Sequence, residues 1–295
     1  IKKCYEKIKS IFELENDYNY EHIFCDNDSS DNTIPIIRKI ASEDKNVKVI
    51  LNSRNFGILK NTYNGVMHAS GDAILLFMPI DMQDPPELIP EFIKKWKNGA
   101  DIVYGIRAER EESFVLRAAR KLYYKFLSKI TYVNYPENVG DFQLIDKKVL
   151  NTLKKYDDAN PFMRLMTFDT GFKSQGVSYT WKARDYGKSQ NSLKSMFRQG
   201  LTGIISFSGF PLRFALIIGL IIAVLSTLYS IAIFALTFSG VINSPKGLPT
   251  IIFALFFFGG VQLFFIGVIG EYILAIYNQV RKKPMVVVKE KINFK

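Results

Sequence analysis

Two short clusters rich in acids and amides stand out in this 295-residue chain as able to do chemistry: Asp26-Asn27-Asp28-Ser29-Ser30-Asp31 and Asp81-Met82-Gln83-Asp84. Carboxylates and amides at this density can hold a polar ligand. The same composition also builds Asx-turns and helix caps, and for either cluster alone both readings stand. Asp31 favours the cap, because a helical pattern begins at Thr33. Other chemistries are excluded more firmly. His22 and His68 lie far apart, so a His-type zinc cluster has no donors. Cys4 and Cys25 suit a reducing compartment and offer no disulfide framework.

The elements that must position these clusters alternate. Tyr20–Cys25, Val47–Leu51, Ala73–Met78 and Asp101–Tyr104 are rich in β-branched and aromatic residues and predict strands. Lys2–Phe12, Thr33–Ser42, Leu59–Ala69 and Glu87–Lys97 have helical periodicity. Such β-α repetition predicts an α/β fold, a mostly parallel sheet with helices on both faces. Ligands of open sheets of this kind sit at the carboxyl ends of strands, and both polar clusters follow a predicted strand. The chain opens on Ile1 and a helix, so a strand and its ligand loop are expected to be missing from its N-terminal side.

Charge divides the chain. The net charge is +11, from 39 basic and 28 acidic residues, yet residues 212–280 hold only Arg213, Lys246 and Glu271. A hydrophobic content of 48% excludes disorder. Phe214–Pro245 and Gly247–Gly270 are uncharged, and a spanning helix needs about 20 apolar residues. Two membrane helices are therefore predicted, at about 214–238 and 248–275, joined by a turn at Ser239–Pro249. Lys188, Lys194, Arg198 and Arg213 precede them and Arg281, Lys282 and Lys283 follow. The positive-inside bias thus places both ends in the cytoplasm. Ser192–Phe210 alternates basic and apolar residues, as an amphipathic helix at the bilayer surface does.

The order and spacing of several segments resemble family 2 glycosyltransferases of GT-A (Rossmann-like) fold, in particular bacterial polyisoprenyl-phosphate glycosyltransferases with two C-terminal membrane helices. The segments are IFCDNDSSDNT (23–33), NSRNFG (52–57), ASGDAILLFMPIDMQDPPELI (69–89), VGDFQLIDKKV (139–149), GFKSQGVSY (171–179), RDYGKS (184–189), SFSGFPLR (206–213) and GEYILAIYNQV (270–280). Dolichol-phosphate mannose synthases are relatives of that group. The resemblance implies inverting transfer of a monosaccharide from a nucleotide-diphosphate sugar, UDP- or GDP-linked, to polyisoprenyl phosphate.

It also implies roles for residues. Asp81 and Gln83 match the metal-binding pair for Mg²⁺ or Mn²⁺, hard cations that take oxygen ligands; Pro79 replaces the family's first Asp. Asp26, Asn27 and Asp81 fall on the nucleotide side, with Asp28 standing where the family has Gly, a site that accepts positive φ. Asp141 matches the catalytic acid, either a general base or an orienting group, because a phosphate acceptor with a second pKa of about 6 is already ionised. Arg107, Arg117, Arg184, Lys188 and Ser189 are the candidates for phosphate and acceptor binding, and Gln190 replaces a family Lys. Phe114–Ile130 predicts a basic helix, and Asp146 a helix cap.

The expected organisation is a cytoplasmic catalytic domain (1–187), amphipathic juxtamembrane helices (188–211), two transmembrane helices (212–280) and a basic cytoplasmic tail (281–295). The location is the plasma membrane, multi-pass. The partners are the nucleotide sugar, the polyisoprenyl phosphate, the lipid bilayer and further copies of the chain (dimer or tetramer; Gly260 and Gly267 share a helical face), with no nucleic acid. A family 2 transferase with another lipid acceptor and a degenerate membrane scaffold are the alternatives.

Overall fold

A computed structural model describes residues 1–15, 17–76, 82–109, 131, 133, 135–136, 138–180, 204–205, 207–239, 247–281 and 283–294. The four expected strands form as β1 (His22–Asp26), β2 (Val47–Asn52), β3 (Ala73–Leu76) and β4 (Ile102–Glu109). Helices α1 (Lys2–Leu14), α2 (Thr33–Glu43), α3 (Ile58–Met67) and α4 (Ile89–Lys97) alternate with them. Each helix turns one stripe inward, such as Cys4, Ile8 and Ile11 in α1 or Ile89, Phe92 and Ile93 in α4. Glu91 in the first turn of α4, and Lys94, Lys95 and Lys97 in its last, complement the helix dipole.

Three further strands were not legible in the sequence: β5 (Val139–Asp146), β6 (Ser174–Thr180) and β7 (Val288–Ile292). Between β5 and β6 lie α5 (Lys147–Leu153) and α6 (Met163–Asp169). The strands form two sheets, ordered β1-β2-β7 and β3-β5-β4-β6. Pairs β1/β2 and β4/β6 are parallel, whereas β2/β7, β3/β5 and β4/β5 are antiparallel. The expectation of a mostly parallel sheet is therefore corrected to a mixed arrangement. The physical reason is β5, which inserts between β3 and β4 in the opposite direction. Its sequence places Gly140, Asp141 and Gln143 inside the strand, breaking the apolar run that marks a buried strand.

Helices do cover both faces of the larger sheet. Ile74, Leu76, Ile102, Tyr104 and Ile145 pack with residues of α3, α5 and α6. The alternate residues Val103, Phe142 and Leu144 pack with α1 and α4. This two-residue alternation puts one core on each face. Phe92 and Phe142, both fully buried, stack at 4.5 Å between ring centroids, and burying one such side chain contributes roughly 2–3 kcal/mol.

Two long helices follow, α7 (Phe210–Phe238) and α8 (Leu248–Val280). Among the described residues, Phe257–Val280 is the stretch long and apolar enough to cross a membrane, with mean hydropathy 1.8 and none of it buried within the protein. Within α7 the described apolar stretch is shorter, Phe210–Ile222. The base of α8 is tied to the globular unit: Tyr272 Oη donates to Ser208 O at 2.6 Å, and Ala159 N–H donates to Gln279 Oε1 at 2.8 Å. Positions 114–130 and most of 192–210 lie outside the described residues, as does most of the expected turn. Of these segments, Phe207 is helical and buried in the core.

Candidate active site

The polar cluster after β1 is held by a network of neutral amides. Asp26, 7% exposed, accepts the Ser29 N–H at 3.0 Å, an Asx-turn that bends the chain away from the strand. Asn27 sits at the centre of a network. Its Oδ1 accepts from Phe56 N–H at 3.0 Å and from Asn52 Nδ2 at 3.2 Å, while its Nδ2 donates to Asn55 Oδ1 at 2.8 Å. Asn52 Nδ2 also donates to Asn61 Oδ1 at 2.7 Å, and Asn61 Nδ2 to Cys25 O at 2.8 Å. Burial pushes the Cys25 thiol up to about 11, so it stays protonated and donates to Asn61 Oδ1 at 3.0 Å. Asp28 adopts φ +68°, the conformation expected where the family carries Gly. Asp31 accepts the Thr33 N–H at 2.9 Å, but the N-cap of α2 is Asn32, so the cap expected at Asp31 is corrected to an Asx-type turn one residue before the helix.

The larger sheet gathers charges instead. Its topology brings the carboxyl ends of β3, β4 and β6 to the amino end of β5: Leu76 pairs with Gln143, Ile106 with Val139, and Arg107 with Tyr179. Asp84 is fully buried and receives two donors in three contacts. Arg107 Nη2 lies 3.3 and 3.4 Å from its two oxygens, and the Tyr179 hydroxyl donates to Oδ1. Arg107 Nε in turn donates to Tyr179 Oη at 3.1 Å. Burial, with the Asp84 carboxylate beside it, holds the Tyr179 hydroxyl well above the ordinary phenol range against the pull of Arg107.

Two glycines make this packing possible. A Cβ on Gly105 would stand 2.6 Å from the Tyr179 ring, and one on Gly140 would stand 3.0 Å from Arg107 Nε. Arg107 therefore lies flat across the backbone of β5 immediately before Asp141.

Asp141 is held by Arg164 of α6, whose Nε donates to Oδ1 at 3.0 Å and whose Nη2 donates to Oδ2. Burial opposes ionisation of Asp141, but the Arg164 charge and hydrogen bonds, with Arg107 beyond, more than reverse it and hold the carboxyl below its ordinary range. The next polar side chain on β5, Gln143, is fully buried; its Oε1 accepts from Thr167 Oγ1 at 2.7 Å, and its Nε2 donates to Arg164 O at 3.4 Å. Asp141 and Arg164 are thus positioned by strand and helix together.

The structure places Asp141 and Arg107 side by side on neighbouring strands. It places Asp26 and Asn27 at the end of β1, in the other sheet, and buries Gln83, 7% exposed, one residue before Asp84. Asp81, Arg117, Arg184, Lys188 and Ser189 lie outside the described residues. Asp146 caps α5, accepting the Lys148 N–H at 2.8 Å, as expected. Sequence reasoning named Asp84 within its polar cluster but gave it no role, and it assigned none to Tyr179, Arg164 or Asn52. The signal for Asp84 was the acid and amide cluster it closes, just before Pro85 and Pro86; Arg164 carried none, standing alone among Met163, Leu165 and Met166. Asp81 and Gln83 offer oxygen donors, the set a hard divalent cation takes. Among the described residues no group of three or more His, Cys, Asp or Glu could hold a metal.

Residues 1–154 match the family described as glycosyl transferase family 2. The SfII prophage-derived bactoprenol glucosyl transferase of Shigella flexneri is 36% identical over 289 residues, covering 97% of this chain and 92% of that protein. The putative glycosyltransferase CsbB of Bacillus subtilis (strain 168) is 37% identical over 290 residues, covering 98% and 87%. The uncharacterized glycosyltransferase YkcC of the same organism is 35% identical over 292 residues, covering 98% and 89%.

Proposed function

Because the chain belongs to glycosyl transferase family 2 and is a glycosyltransferase, we propose that it moves a monosaccharide from a nucleotide-diphosphate sugar to a polyprenyl phosphate at the inner face of the plasma membrane. The observation that carries the reading is the charge array at one end of the larger sheet, Asp141–Arg164 beside Arg107–Asp84. Near-full-length similarity to a bactoprenol glucosyl transferase supports the acceptor class.

In the proposed reaction a phosphate oxygen of the acceptor attacks the anomeric carbon, that carbon's bond to the donor's diphosphate oxygen breaks, and the nucleoside diphosphate leaves. The incoming phosphate has a second pKa of about 6, so no proton need be removed at neutral pH. Asp141, ionised and clamped by Arg164, is a weak base; it orients the acceptor or the sugar and meets the positive charge developing at the anomeric carbon. Arg107, with Arg117, Arg184, Lys188 and Ser189, is assigned to the phosphates, and Asp26 and Asn27 to the nucleotide. Asp81 and Gln83 would hold Mg²⁺ or Mn²⁺, which when bound neutralises charge on the donor's diphosphate.

Membrane insertion as a two-helix hairpin is supported by chain return. β7, after α8, pairs with β2 of the globular unit, which supports an even number of crossings between β6 and β7. If the Phe257–Val280 stretch crosses, α7 crosses with it. Apolar side chains around both helices, such as Leu216, Leu220, Leu263 and Ile266, are exposed and call for a lipid environment. Arg213 and Arg281 at the near ends support a cytoplasmic orientation. A Cβ at Gly260 or Gly267 would meet nothing within 4 Å, leaving room for a second copy.

The test is direct: purified protein with Mg²⁺, labelled nucleotide sugars and undecaprenyl phosphate is expected to yield a chloroform-soluble labelled lipid. Failure of transfer from every common UDP- and GDP-linked sugar would overturn the reading. A product formed on a different lipid would keep the transferase and replace the acceptor.

A further inference from the structure

After α8 the chain returns to the globular unit. β7 pairs antiparallel with β2 from Val49↔Ile292 to Asn52↔Val288, and the register skips Lys289 between Leu51 and Asn52. That skip is a β-bulge, a feature that re-aims the side chains beside it, and Asn52 is the residue at the skip. One step further along, the Ser53 N–H donates to Val287 O at 2.9 Å. Contacts outside the ladder fix the strand from both sides. Arg38 holds the Glu290 carboxylate through both terminal nitrogens, at 2.7 and 2.5 Å. Asn293 Nδ2 donates to Ala41 O at 2.7 Å and to Val47 O at 2.8 Å. Ile292 packs on the core of Phe24, Ile37 and Val49.

Asn52 is 2% exposed, and its amide holds Asn27, which in turn holds the Phe56 N–H and Asn55. The strand that leaves the membrane helix therefore abuts the residue from which the loop around Asn27 hangs. We infer that β7 is a positioning element of the nucleotide-donor site, acting through Asn52 on Asn27 and the loop 53–57. The inference rests on the reading of Asp26 and Asn27 as donor-binding residues. Without β7, the outer edge of β2 loses its ladder partner and Asn52 loses the bulge that aims it. A displacement of about 1 Å in such a loop is enough to weaken productive binding.

The experiment compares the full chain in detergent with a chain ended after Met285, and with Arg38→Glu, Glu290→Arg and their double exchange. Amide hydrogen exchange is read at Phe56 and Gly57, UDP and GDP binding by calorimetry, and KM for polyprenyl phosphate by transfer. In the shortened chain, protection at Phe56 is expected to fall about tenfold. Nucleotide Kd is expected to weaken about fivefold while acceptor KM stays unchanged. Each single charge reversal moves both readouts the same way by less, and the double exchange restores them. Should the shortened chain fail to fold, the charge-exchange series decides alone. Unchanged exchange at Phe56 and unchanged Kd overturn the inference. Full-length protein that binds neither UDP nor GDP overturns the donor reading itself, and with it the role of β7, whereas the exchange data separately decide whether β7 steadies the loop.

Discussion

The ends of the two sheets are organised by opposite means. Beyond β1 and β2 the loops are held by uncharged groups, Asn27, Asn52, Asn55, Asn61 and the protonated Cys25. At the end of the larger sheet the side chains are ionised and paired, Asp84 with Arg107 and Asp141 with Arg164. An amide network fixes a shape at little electrostatic cost. Ion pairs fix a field. The buried one, Asp84–Arg107, is costly to desolvate and costlier still to leave half-broken, which suits a site where charge must be in place before the reaction begins.

The largest effect should come from breaking the buried triad. Asp84→Ala removes the carboxylate that faces Arg107, whose side chain is 15% exposed, and a one-sided loss of this kind costs about 3–5 kcal/mol. Melting of the globular unit is expected to drop by roughly 10 °C, with loss of transfer. A melting point unchanged within a degree would show that the pair is not structural.

Asp141→Asn should cut turnover by about a hundredfold while nucleotide affinity is kept, because the two ends are built separately. The pH profile sharpens this. The Asp141 carboxyl is held below its ordinary value of 3.8, so it stays ionised throughout pH 5–8 and contributes no acid limb there. The limb expected near pH 6 belongs to the acceptor phosphate and should persist in the residual rate of Asp141→Asn. Its disappearance would restore Asp141 as a general base.

The smaller sheet has a titratable weak point. His22, at the start of β1, has a buried Nδ1 with no hydrogen-bond partner among the described residues. Burial lowers its pKa from 6.5 to about 4, with Asp44 opposing. Between those values the unfolded chain binds the proton and the folded chain does not, so stability falls as pH drops from 6.5 toward 4. The slope is at most about 1.4 kcal/mol per pH unit, and urea midpoints of His22→Phe should lose it.

Asn27→Asp tests the amide network most gently. The donors Phe56 N–H and Asn52 Nδ2 keep an acceptor, but two oxygens now face each other where Asn27 Nδ2 met Asn55 Oδ1 at 2.8 Å. A loss of about 1 kcal/mol is expected, read as weaker nucleotide binding; tighter binding would show that the site prefers a carboxylate.

How much of this was legible depended on the range of the interaction involved. The helices α1 to α4 and the strands β1 to β4 carry their period in local sequence, so they were read within a few residues; so were the long apolar helices. The positive φ of Asp28, the turn at Asp31 and the cap at Asp146 are local too. β5 was not, since Gly140, Asp141 and Gln143 look like a loop until Arg107, Arg164 and Thr167 are brought to them from 33, 23 and 24 residues away. β7 was hidden by its charges. VKEKI reads as part of a basic tail, and only pairing with β2 and the Arg38–Glu290 contact make it a strand.

Sequence alone thus determined the alternation of elements, the apolar C-terminal helices and the family to which the acidic loops belong, because periodicity, composition and motif order are properties of neighbours along the chain. Tertiary structure decided the direction of β5, the return of β7 and the pairing of Asp84 with Arg107 and of Asp141 with Arg164. A strand's direction and an ion's counterion are set by residues far away in sequence, and no local pattern encodes which of them will arrive.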